Sequence, residues 1–220
     1  PPVPSLVSLV AQGGECRRMM GLALKNVGLT LYQDGKSIFQ EQGEALFTHF
    51  GLSGPLVLSA SAHLGDLAKH RYEVGFDLKP ALSHEQLYAR LNRDLTALAN
   101  RDAANCLVKL LPASMQPVMV ERWGVDPAKK ANQLTKEERL ALVDLMKDFR
   151  IRIRDRGDLE HAVITSGGVA VKEVDPRTMA SKKCPGLYFA GEVLDVDAYT
   201  GGYNLQIAWC TAQAAARGLA

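Results

Sequence analysis

Val27-Gly28-Leu29-Thr30-Leu31-Tyr32, then Gln33-Asp34-Gly35-Lys36, then Ser37-Ile38-Phe39, decides the architecture of this chain. Apolar and polar residues alternate with a period of two on both sides of an Asp-Gly pair. Such a pair tolerates the positive φ angles that a tight hairpin turn demands. A second alternating run, Arg71-Tyr72-Glu73-Val74-Gly75-Phe76-Asp77, repeats the signal, so Leu6 to Asp77 reads as an antiparallel sheet or small barrel. Between the two runs, Glu44 to Pro55 reads as a short strand, a turn and a helix start. Ser53 is its predicted N-cap and Pro55 lies in its first turn; the helix is expected to reach about Leu64.

Beyond Lys79-Pro80 the period lengthens to about 3.6 residues. Ser83 with Gln86 makes a capping box, and Leu87, Leu91, Leu95 and Leu98 form one apolar stripe. Leu107, Val108, Leu110 and Leu111 are predicted to begin a second helix stopped by Pro112. Thr135 with Glu138 caps another, with Leu142, Met146 and Phe149 on one face. Ile151-Arg152-Ile153-Arg154 then alternates, and His161-Ala162-Val163-Ile164 returns the chain to a sheet. The predicted class is α+β: a barrel-like antiparallel sheet with an inserted helical subdomain, followed by a strand-turn-helix. The expected divisions are 1–80, 81–150, 151–164 and 165–220.

Apolar residues make up 47% of the 220 and charged residues 23%, the balance of a folded globular protein. A net charge of +2 without a Lys/Arg block argues against nucleic acid or an anionic membrane as partner. Cys16, Cys106, Cys184 and Cys210 lie far apart, with no C-x-x-C pair and no histidine at zinc spacing. Reduced thiols, a cytoplasmic location and no metal are therefore expected. The chain opens Pro1-Pro2-Val3-Pro4 without an initiator methionine, which reads as a piece of a longer protein.

The chemistry is concentrated near the C-terminus. Leu187-Tyr188-Phe189-Ala190 reads as a buried strand running into Gly191, Glu192 and Asp195; Gly201-Gly202 then opens onto a helix from about Asn204. Glycines let a ligand approach the backbone, and a helix start offers unpaired N–H groups. Glu192, Asp195 and Asp197 suit sugar or ribityl hydroxyls, and the helix start suits the electron-rich edge of a reduced flavin. The same pattern also describes an ordinary strand, turn and helix that bind nothing. No strand feeds a G-x-G-x-x-G turn with an acid about 20 residues on, so the dinucleotide half of a Rossmann site is missing from this sequence.

Gly186 to Gln206, Ile164-Thr165-Ser166-Gly167-Gly168-Val169, and Gly43 to Pro55 together resemble the bacterial flavoprotein family that contains YhiN and BaiN. The three blocks occur in the same order and span most of the chain. The resemblance implies a Rossmann-type FAD domain interrupted by a barrel-like domain and a small helical domain. It implies an oxidoreductase passing hydride from NAD(P)H through FAD to an unsaturated or carbonyl small-molecule substrate, or to dioxygen. Some members are linked to bile-acid reduction or aminoacetone oxidation. By the same resemblance, Gly191, Glu192 and Asp195 lie near the ribityl and pyrophosphate, while Gly201, Gly202, Tyr203, Asn204 and Leu205 line the flavin ring. Thr165, Ser166, Gly167 and Gly168 form a turn on the substrate side. The family's N-terminal glycine motif has no counterpart here, so the missing N-terminal half of the FAD domain is an expected partner and self-association an expected hazard.

Other groups read more plainly. His49 fits a packing or turn role, and His63, His70, His84 and His161 lack a second ligand at metal spacing. Cys184 and Cys210 sit inside the flavin-like segment without a paired thiol, Lys182-Lys183 reads as a solvated pair, and Trp123 and Trp209 as core or interface aromatics. The competing function is a non-catalytic protein-interaction module whose flavin-like tail only completes a fold.

Overall fold

The computed structural model describes residues 2–219; Pro1 and Ala220, the ends of the first and last expected divisions, lie outside the described residues. The elements in chain order are β1 (Val3–Ser5), β2 (Leu9–Ala11), α1 (Glu15–Arg18), β3 (Ala23–Gln33), β4 (Lys36–Phe47), β5 (Gly51–Ser53) and α2 (Pro55–Ser61). They continue with β6 (Tyr72–Asp77), α3 (His84–Ala97), α4 (Gln116–Trp123), α5 (Lys136–Lys147), β7 (Phe149–Arg156), β8 (Ile164–Ser166) and α6 (Tyr203–Leu219).

The expected class holds: six antiparallel strands close a barrel in the order β2-β5-β4-β3-β6-β7, and Leu56, Val57 and Ala60 of α2 join its buried core. The β3–β4 hairpin turns through Asp34 (φ 51°) and Gly35 (φ 81°) between the paired Gln33 and Lys36, as Asp-Gly predicts. The Arg71 N–H and the His70 ring nitrogen both bond the Asp34 carboxylate and hold it below the usual carboxylate range. Inward residues of the barrel strands, among them Leu29, Leu31, Phe47, Val74, Phe76 and Phe149, are fully buried. β1 stands apart and pairs with β8 in a two-stranded sheet.

The helical unit interrupts the connection between the neighbouring strands β6 and β7. Both capping boxes form, Ser83 with Gln86 and Thr135 with Glu138. Lys147 closes the base of the insertion: its ammonium donates to the Asp77 carboxylate and to the Lys79 and Leu82 carbonyls. Arg18 pairs with Glu121 at 2.6 Å and Arg122 with Glu15, tying α1 to α4.

Several expectations are corrected. Ser53 is not the N-cap of α2; it ends β5 opposite Leu46, and its hydroxyl accepts from Ser8 at 2.8 Å. Gly54 takes the cap because the corner requires φ 94° there, where a Cβ would sit 3.1 Å from the Leu46 nitrogen. α2 then stops at Ser61 rather than Leu64. Residues 107–111 close one turn, Leu111 N–H to the Leu107 carbonyl at 3.0 Å, and go no further, since Pro112 offers no N–H. Phe149 belongs to β7, not to the helix before it. Leu187 to Ala190 is not a strand: it makes an isolated antiparallel bridge between Tyr188 and Ala180, with no parallel neighbour among the described residues.

The core is uneven. One large cluster fills the barrel and runs on beneath α3, α4 and α5. The C-terminal part has a much smaller one, Val174, Met179, Leu194 and Ala215, and Ala215 is the buried residue of the 17-residue α6. Eight of the seventeen exposed large hydrophobic side chains among the described residues lie in 187–219, including Leu205 at 69% and Trp209 at 74% exposure.

Candidate functional site

The C-terminal turns are built against each other. The Thr165 N–H and hydroxyl donate to Glu192 Oε1 at 2.7 and 3.2 Å, and the Gly167 N–H donates to Asp195 Oδ1 at 3.0 Å. Val169 and Leu194 form a parallel bridge, and a Cβ on Gly168 would lie 2.5 Å from the Val193 carbonyl oxygen, which explains glycine there. Thr165, Ser166, Gly167 and Gly168 thus form the platform that carries Gly191, Glu192 and Asp195. The Gly191 N–H donates to Thr211 Oγ1 at 2.9 Å, clamping this turn to α6.

A cavity of about 350 Å³ opens at the start of α6. Of the residues expected around a flavin, Gly191, Glu192, Gly201, Gly202, Asn204 and Leu205 line it; Asp195 and Tyr203 do not. Val163, Ile164, Val196, Tyr199, Thr200, Ile207 and Ala208 complete the wall. Ile207 and Ala208 follow Asn204 at helical spacing and were readable on that ground. Tyr199 and Thr200 lie in a loop whose path no local pattern reveals. Gly201 (φ 115°) and Gly202 (φ 91°) have the left-handed backbone that glycine tolerates, and a Cβ at Gly202 would meet no atom within 4 Å. The Asn204 side chain is committed locally: its amide donates to the Ala198 carbonyl at 2.7 Å and its oxygen accepts from the Ala198 N–H at 2.8 Å, pinning the loop.

The lining fits a flat, mostly apolar ring. Its size matches ordinary small-molecule sites, roughly 300–1,000 Å³, with open N–H groups at the helix start. Glu192 is its single charged side chain, so the lining holds no cation for a diphosphate. Lys182 donates to the Lys172 carbonyl and Lys183 pairs with Glu173, so both are engaged nearby in the fold.

His49 stacks edge-on against Phe50, His70 pairs with Asp34, and His84 lies 3.6 Å from Asp144. No group of three or more His, Cys, Asp or Glu gathers as a metal site among the described residues, and no helix there is long and apolar enough to cross a membrane. Cys184 and Cys210 are exposed, whereas burial pushes the Cys16 thiol up to about 12 and the Cys106 thiol up to about 11. Since the thiolate is the nucleophile, Cys16 and Cys106 are expected to resist alkylation at pH 8 in the folded protein. Peptide mapping by mass spectrometry should find them modified after denaturation; labelling at native-state rates equal to a free thiol would contradict their burial.

A closed barrel, a helical insertion and a glycine-lined cavity at a helix start define an α+β protein with a cavity of small-molecule size at the start of α6. Residues 3–164 match the family described as HI0933-like protein barrel and H2TH domain, and the chain belongs to that family. It is 34% identical over 207 residues to the ribosomal RNA dihydrouridine synthase of Escherichia coli, covering 93% of this chain and 48% of that protein. It is 30% identical over 226 residues to the 3-dehydro-bile acid delta(4,6)-reductase of Clostridium scindens, covering 100% and 54%. The ribosomal RNA dihydrouridine synthase of Haemophilus influenzae is 34% identical over 182 residues, covering 83% and 43%. The chain therefore spans about half the length of the curated relatives it matches. Those relatives are named as enzymes.

Proposed function

We propose that this chain supplies the barrel, the helical unit and the ring-binding turn of an FAD-dependent oxidoreductase. In the whole enzyme the flavin would supply hydride taken from NAD(P)H to a carbon–carbon double bond conjugated with a carbonyl. The observation that carries this reading is the glycine-walled cavity at the start of α6, whose Gly202 backbone leaves open the space a side chain would fill. The names of the relatives support it: making dihydrouridine saturates a uracil double bond, and a delta(4,6)-reductase acts on a conjugated 3-keto steroid. Substrate is thus a uracil-like or enone ring, in place of the broader range of carbonyl compounds or dioxygen.

Bound flavin supplies the two-electron chemistry, and the protein groups hold and orient it. Gly191, Gly201, Gly202 and Leu205 would face the ring, with the N–H groups of the first turn of α6 towards its electron-rich edge. Glu192 has one oxygen engaged by Thr165 and keeps acceptor capacity for a ribityl hydroxyl. The Asp195 carboxylate supports the Gly167 turn, so its role is to shape the site. The diphosphate falls to an additional segment, the N-terminal half of the FAD domain, whose natural seat is the exposed apolar face of α6. A chain lacking that segment is inactive in this reading and is prone to pair with its own copies through the same face.

Purification of the whole protein tests it. Flavin absorbance at about one FAD per chain, bleached by NADPH or NADH without oxygen, is the expected result. A colourless protein that takes up no flavin but binds another protein tightly would support the interaction-module reading instead.

A further inference from the structure

Tyr199 lies on the boundary of two cavities. It walls the glycine-lined one and also a neighbouring one of about 490 Å³ formed with Ala62, His63, Asp197, Ala198 and Tyr203. Its hydroxyl sits 2.7 Å from His63 Nε2. His63 in turn stacks face to face on Phe39 from β4, ring centroids 4.6 Å apart and 27° from parallel. Three distant segments, a barrel strand, the end of α2 and the loop before α6, thus converge on one aromatic cluster. The loop is held there at both flanks, by the Asn204–Ala198 pair and by the Ser5 hydroxyl on Asp197 at 2.8 Å. His63 is also exposed, so its ring is open to solvent.

Resting on the proposed reductase reading, we propose that the second cavity receives the reducible ring and that the Tyr199 hydroxyl is the catalytic acid, kept supplied with protons by His63. Saturating a conjugated double bond requires two deliveries. Bound flavin would supply the hydride for the C–H bond at the β carbon, and the π electrons would move towards the carbonyl. The Tyr199 O–H bond then breaks as its proton forms the C–H bond at the α carbon. The phenolate oxygen regains a proton from His63, which takes one from solvent. The sum is one hydride from NAD(P)H and one proton from water per substrate, with the protein unchanged. Tyr199 is suited to this because its side chain lines both cavities while its hydroxyl meets His63. Positioned acids of this kind commonly contribute about 10²–10⁴-fold to rate.

The test uses the whole flavin-loaded protein, with cyclohex-2-enone and a uridine-containing RNA hairpin as separate acceptor probes. Tyr199→Phe keeps the ring in the cluster and removes the hydroxyl alone. Flavin content, probe affinity by equilibrium titration and flavin reduction by NADPH should stay as in the parent, while reoxidation by the accepting probe slows about 100-fold or more. His63→Ala should slow the same step about 10-fold, with free imidazole restoring it, as a merely structural histidine would not allow. Unchanged reoxidation in Tyr199→Phe would overturn the proposal and leave the reductase reading standing. A parent that takes electrons from NADPH but passes them to neither probe would overturn the reductase reading, and the proposal with it.

Discussion

Gly202→Val in the whole protein is expected to weaken flavin binding at least about 100-fold, equivalent to roughly 2.7 kcal/mol. Two effects combine. At φ 91° a β-branched residue is strained, and on the proposed reading its side chain would take open space that the ring needs. Strain alone is separated by Gly35→Val, since Gly35 has a similar φ of 81°, an equally open surround and a position at the far hairpin turn. That control should lose comparable stability and keep its flavin. Flavin-to-protein absorbance ratios and a titration with FAD measure both. Full occupancy in Gly202→Val would remove this turn from the site.

The largest loss of stability is expected from Gly51→Ala. Gly51 faces Val10 where β5 meets β2, the pairing through which the barrel closes. A Cβ there would overlap the Leu9 carbonyl oxygen and come within 2.6 Å of the Ala11 nitrogen, so backbone rather than a pliant side chain must move. The turn before it is also tight, with the Gly51 N–H on Thr48 Oγ1 at 3.0 Å. A cost of about 3 kcal/mol or more is expected, at the upper end for overpacked sites. For a protein of this size that lowers the melting midpoint by about 6–12 °C. Gly43→Ala, on the neighbouring β4, would place its Cβ an ordinary 3.6 Å from Leu56 and should change stability little. Equal midpoints for the two variants would contradict the closed seam.

The barrel was legible because its signals are local. Alternation in residues 27–32 and 71–77 and the Asp34-Gly35 turn each act within a few residues, and all three formed as read. The capping boxes at Ser83 and Thr135 were legible for the same reason. Closure was less so: β2 and β5 are three residues each and are defined by partners distant in sequence. Ser53 failed as a cap because sheet pairing with Leu46 outcompeted a local preference.

The candidate site divides along the same line. Glycine-rich turns showed where a backbone could approach a ligand, and Gly191, Gly201 and Gly202 do share one cavity. What no pattern conveyed was which acids would also bond within the fold. Glu192 and Asp195 bond Thr165 and Gly167, contacts spanning 27 and 28 residues. His63 and Tyr199 are 136 residues apart, and His63 alone has nothing to distinguish it from a solvent-facing histidine.

Hydrogen–deuterium exchange on the whole protein, with FAD bound and after its removal, tests most directly whether this turn holds the ring. FAD should slow exchange at residues 191–193 and 200–206 while the barrel strands β3, β4 and β6 exchange alike in both forms. Protection elsewhere, with residues 200–206 exchanging at the same rate with and without FAD, would contradict it.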